Sequence, residues 1–96
     1  HNLFLAFKES VNNIVKHAAA SEVWIRASGS DGRLDLEIED NGRGFAFRGR
    51  YDLAELIQLG QGPQSLMGRI AALHGQLIVE SSQVGSRLNM IVPRER

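Results

Sequence analysis

Asp40-Asn41-Gly42-Arg43-Gly44-Phe45 sets a carboxylate against two glycines, one residue apart, where a strongly patterned strand stops. A carboxylate on the buried side of a strand end is costly unless a partner satisfies it, and neighbouring glycines let a backbone pass close to a ligand. The chemistry offered is ligand reading by a hydrogen-bond acceptor. The same letters also spell an Asp-Asn-Gly hairpin turn, and at this level the two readings stand side by side. A second group is Glu9, Asn13, Lys16 and His17, whose spacing puts a carboxylate, a carboxamide, an ammonium and an imidazole in one row along a helix. That row is either a solvated face with a Glu-to-Lys ion pair or a polar wall turned toward a ligand. Adjacent Asn12 and Asn13 favour a duty other than stability, since asparagine inside a helix costs up to about 0.7 kcal/mol relative to alanine. A third stretch, Gly60-Gln61-Gly62, precedes Pro63, a residue suited to the first helical position; amides there and the positive end of the helix dipole suit a phosphate. The fourth is Gly85-Ser86, a late turn with a glycine and a hydroxyl.

Several chemistries drop out. Gly42-x-Gly44 has no third glycine and opens no helix, so it is not a dinucleotide fingerprint, and no lysine follows the glycines as in a Walker motif. There is no cysteine, hence neither a disulfide nor a thiolate metal site. His74 has no second histidine at ligand spacing and reads as a helix-end side chain. Eleven basic and eleven acidic side chains cancel, which removes the long-range field of a nucleic-acid binder or a membrane-surface binder. No stretch approaches the roughly 20 apolar residues that span a bilayer.

The elements that must position these groups follow from periodicity. Residues 2–20 read as a helix whose Phe4, Phe7, Val11, Ile14 and Ala18 form an apolar stripe, with the polar row opposite. Residues 22–28 and 33–40 alternate as two strands of a hairpin; Leu34, Leu36 and Ile38 face the core, and by parity so does Asp40. Residues 46–62, helical over 51–59 and glycine-bearing at both ends, read as a lid, because so long a connection in so small a domain is commonly a binding element. A helix from Pro63 to His74 presents Leu66, Ile70 and Leu73 to the core, and Gly75 is expected to end it in a left-handed cap. Gly68 inside that helix costs about 1 kcal/mol, which suggests close packing or a nearby ligand. Strands over 76–82 and 87–93 complete the chain. Ninety-six residues with 43% hydrophobic content describe one domain, residues 1–96, expected to be cytoplasmic and, since it opens on helix-like residues without methionine, part of something longer.

In this order the pieces resemble the Bergerat ATP-binding fold of the gyrase, HSP90, histidine kinase and MutL superfamily. The resemblance is greatest to the catalytic ATP-binding domain of bacterial two-component sensor histidine kinases, carried by Glu9-Ser10-Val11-Asn12-Asn13-Ile14-Val15-Lys16-His17-Ala18. It implies an α+β two-layer sandwich: a mixed, mostly antiparallel sheet of about four strands, covered on one face by two main helices plus a lid. It implies ATP and Mg2+ as cofactors, with Asn13 on the metal and Lys16 on a phosphate, and His17 beside them. Glu9 takes the place of the water-activating base in the superfamily's hydrolases. Asp40 resembles the reader of the adenine amine, Gly42 and Gly44 the pocket wall, Gly60 and Gly62 the lid hinge and phosphate-binding end. Gly85 and Ser86 resemble the last glycine box, serine replacing the commoner threonine. Pro63 stands where leucine is usual and implies a stiffer lid. The implied partners are a histidine-bearing phosphoacceptor and dimerisation domain and a downstream response regulator, so the 96 residues alone should bind ATP without autophosphorylating. A serine kinase of the anti-sigma-factor type, or a degenerate protein-binding module, shares the fold.

Overall fold

A computed structural model describes residues 5, 8, 9, 12, 20–30, 32–62 and 64–93. In chain order the elements are β1 (Val23–Ser30), β2 (Arg33–Asp40), β3 (Gly49–Asp52), α1 (Leu53–Leu59), α2 (Gln64–Ala72), β4 (Gln76–Ser82) and β5 (Gly85–Pro93). Leu5, Lys8, Glu9 and Asn12 are helical and exposed; the apolar stripe expected at Phe4, Phe7, Val11, Ile14 and Ala18 lies outside the described residues. The strands form one sheet in the order β1-β2-β5-β4-β3, every neighbouring pair antiparallel. The two-layer α+β class therefore holds. The sheet has five strands rather than about four, and it is antiparallel throughout rather than mixed.

Alternation decides which face is buried. Ile38 of β2, Leu77 and Val79 of β4, and Leu88, Met90 and Val92 of β5 point to one side. There they meet Leu56 of α1 and Leu66, Met67 and Ile70 of α2. The opposite face is polar: Arg26 lies 3.3 Å from both Glu37 and Glu39, and Arg87 reaches Glu37 at 3.1 Å and Glu80 at 3.5 Å. These pairs are solvated and contribute little each, about 0–1 kcal/mol. They do keep that face wet.

The stretch 46–62 is largely regular structure. Its β3 pairs with β4, from Gly49 opposite Ser81 to Asp52 opposite Ile78. Asp52 then caps α1, accepting from Glu55 N–H at 2.9 Å while Glu55 accepts from Asp52 N–H at 2.8 Å, a reciprocal capping box. Four strand residues with one half-buried position carry too little alternation to be read from sequence.

Both described helices stop in the same way. Gly60 adopts the left-handed conformation after α1, with its N–H on Ile57 O and that of Gln61 on Leu56 O. After α2 the left-handed residue is His74 (φ 59°), not Gly75; His74 N–H bonds Ala71 O and Gly75 N–H bonds Ile70 O. Gly75 is required for space instead. A Cβ there would fall 2.6 Å from Val92 and 2.9 Å from Ile91 O, so α2 could not turn down onto β5. Close packing does not account for Gly68, because a Cβ there meets nothing within 4 Å.

Candidate functional site

The three buried polar side chains among the described residues, Asp40, Ser81 and Ser86, occupy one row across the sheet. Asp40 ends β2 opposite Ser86, which begins β5 opposite Ser81 near the end of β4. Each occupies a core-facing position in its own strand, so apolar layers give way to polar groups at one end of the sheet. Asp40 is 3% exposed. Its Oδ1 accepts the Gly42 N–H at 2.8 Å and its Oδ2 accepts the Ser86 hydroxyl. A carboxylate offers about four lone-pair sites, so acceptor capacity remains for a donor from a ligand.

The backbone after Asp40 is held against this row by topology. Since β2 is flanked by β1 and β5, Asn41 and Gly42 do not close a hairpin. The chain instead crosses the ends of β5 and β4 to reach β3 at the sheet edge. Gly44 (φ 76°) is the tightest point of that crossing: a Cβ would fall 2.2 Å from Ser82 O and 2.8 Å from Ser81 Oγ. Gly85 is packed just as closely, its would-be Cβ 2.1 Å from Asp40 O. Phe45 N–H donates to Ser81 Oγ at 2.7 Å. Phe45 stacks on Phe47 at 5.2 Å, and Phe47 meets Tyr51 edge-on at 5.6 Å, which carries the crossing into β3. Asn41 anchors the other side, its Oδ1 accepting from Ser21 and Glu22 N–H, each at 3.0 Å. A cleft of about 390 Å³ opens at this end of the sheet, lined by Asp40, Ser81, Gly85 and Ser86 together with Glu39 and Arg87 of the polar face.

The structure thus brings together Asp40, Gly42, Gly44, Gly85 and Ser86. Gly60 and Gly62 lie at the α1–α2 junction, where the Gly60 amide is already engaged in the helix cap. Gly62 (φ 97°) packs on Met67 and Leu56, a Cβ coming 2.9 Å from Met67 Sδ. Glu9 is helical and exposed. Asn13, Lys16, His17 and Pro63 lie outside the described residues. Among the described residues no three acidic, histidine or cysteine side chains gather as a metal site. Two residues escaped the sequence reading. Ser81 carries the signal that exposed Asp40, a polar residue at core parity after Leu77 and Val79, whereas the Asn41 anchor needs the tertiary approach of residues 21 and 22.

The described residues form a two-layer α+β domain whose sheet ends in a buried polar row beside a glycine-lined turn. The chain belongs to the family of histidine kinase-, DNA gyrase B- and HSP90-like ATPases, whose model matches residues 1–96. It is similar to the sensor histidine kinase MctS of Rhizobium johnstonii, 29% identical over 97 residues, and to the histidine-protein kinase/phosphatase UhpB of Salmonella typhimurium, 37% identical over 92; each match covers 96% of this chain. It spans only 19% and 17% of those proteins. In structure it resembles the histidine kinase domain of a blue-light activated kinase from Erythrobacter litoralis, with a TM-score of 0.73 at 22% identity, over 96% of this chain and 46% of that one. Among the described residues no helix is long and apolar enough to cross a membrane.

Proposed function

We propose that this chain is the ATP-binding catalytic unit of a sensor histidine kinase, presenting the terminal phosphate of Mg-ATP to a histidine on a separate phosphoacceptor and dimerisation domain. One observation carries the reading: a buried Asp40 that holds Gly42 N–H and the Ser86 hydroxyl and keeps acceptor capacity. That free acceptor suits an amine-bearing heterocycle. Asp40 accepts from the adenine amine; Gly42, Gly44 and Gly85 keep the pocket free of side chains; Ser86 orients the carboxylate. Asn13 would hold the magnesium ion and Lys16 and His17 would bind the phosphates, with Gly60 and Gly62 as the hinge and phosphate-binding end of the lid over residues 46–62. ATP supplies the phosphoryl group when bound, and the protein contributes placement and charge complementarity, which suffice for a transfer with little covalent chemistry for the enzyme to do. Glu9 holds the position of the water-activating base of the superfamily's hydrolases and is the candidate acid–base group of the transfer. The likeness to MctS and UhpB, both named as histidine kinases, supports a histidine rather than a serine acceptor; a response regulator downstream and a cytoplasmic location belong to the same proposal.

The test is magnesium-dependent binding of a fluorescent ATP analogue, with Asp40→Asn and Asn13→Ala as variants. Loss of binding in both is expected. Undiminished binding in Asp40→Asn refutes the assignment of the adenine reader, and no binding by the wild type favours the degenerate module.

A further inference from the structure

Ser81 is not among the residues that the resemblance assigns, yet it ends the buried row on β4 and is 6% exposed. Its hydroxyl accepts Phe45 N–H at 2.7 Å and lies 3.5 Å from Phe45 O. Gly44, one residue earlier, has no room for a side chain between Ser81 Oγ and the carbonyls of Ser82 and Gly85. The turn that follows Asp40 is therefore attached at both ends: Gly42 N–H to Asp40 and Phe45 N–H to Ser81. Between them Gly44 lies flat on the β4–β5 hairpin. Register links the two attachments, because Ser81 and Asp40 are both partners of Ser86. Without the hydroxyl the Phe45 amide loses its side-chain acceptor and the turn loses its distal anchor.

We infer that Ser81 is a positioning residue for the nucleotide pocket, fixing the Gly42–Phe45 turn through the Phe45 amide. The inference rests on the reading of this site as a nucleotide pocket. A displaced turn removes a wall at the adenine end, so adenosine, ADP and ATP should all weaken by the same factor.

The experiment measures Kd for adenosine, ADP and ATP by calorimetry on wild type, Ser81→Ala and Ser81→Cys, together with amide exchange at Phe45 and the urea midpoint without ligand. Cysteine holds the volume with a poor acceptor and serves if the alanine variant does not fold. Expected are about a tenfold rise in Kd, equivalent to about 1.4 kcal/mol, shared by all three ligands, and faster exchange at Phe45. Wild-type binding with unchanged affinity in the variants overturns the role of Ser81 alone. So does a loss confined to ATP, or one accounted for by the unfolded fraction. If the wild type binds none of the three, the nucleotide reading fails and this inference fails with it.

Discussion

Ser86→Ala removes the hydroxyl that donates to Asp40 and leaves the carboxylate with the Gly42 N–H, at 2.8 Å, as its remaining partner. At 3% exposure Asp40 recovers only part of the lost donor from solvent in the cleft. A hydrogen bond to a charged group contributes about 1.5–3 kcal/mol, so the variant should lose about 2 kcal/mol. For a domain of this size that lowers the melting temperature by roughly 8–16 °C, at about 4–8 °C per kcal/mol. The cost depends on the charge of Asp40, which a double-mutant cycle isolates. Asp40→Asn, Ser86→Ala and the pair are compared by urea unfolding at constant slope against denaturant. The pair should cost less than the sum of the singles by about 1 kcal/mol or more, as expected for residues in direct contact. Strict additivity would show that Ser86 and Asp40 do not share an interaction, and the row across β2, β5 and β4 would lose its central link.

Gly44→Ala must fit a Cβ 2.2 Å from Ser82 O at a left-handed φ; a loss of more than about 2 kcal/mol and faster exchange at Phe45 are expected, and a neutral result contradicts the close crossing. His74→Gly relieves a non-glycine residue at φ 59° and should raise stability by about 1 kcal/mol in urea titration. Gly68→Ala places a methyl in open space on an exposed helix face and should gain about 1 kcal/mol, unless a bound ATP analogue needs that space, in which case its affinity falls while stability rises. Pro63→Leu should increase both ATP-analogue affinity and exchange protection over residues 46–62; equal values in the two proteins would show that the proline does not hinder the lid.

Much of this molecule follows from local pattern. The period-two alternation of residues 33–40 and 76–82 set both strands and their buried faces, because side-chain direction along a strand depends on parity alone. Parity also put Asp40 inside, and the glycines beside it announced a close backbone approach. What sequence could not give was the partner of each group. The β5 register that sets Ser86 against Asp40 joins residues 46 apart in the chain, and the crossing that makes Gly44 indispensable exists only because β3 adds to the far edge of the sheet. The cap of α2 shows the same division: sequence placed a glycine at its end, and the approach to β5 decided that Gly75 serves for space while His74 takes the left-handed turn. Periodicity reports which face of an element is buried, a local property of the chain. Which polar groups meet there, and so what the site can bind, was decided by strand order and register, which bring distant segments together.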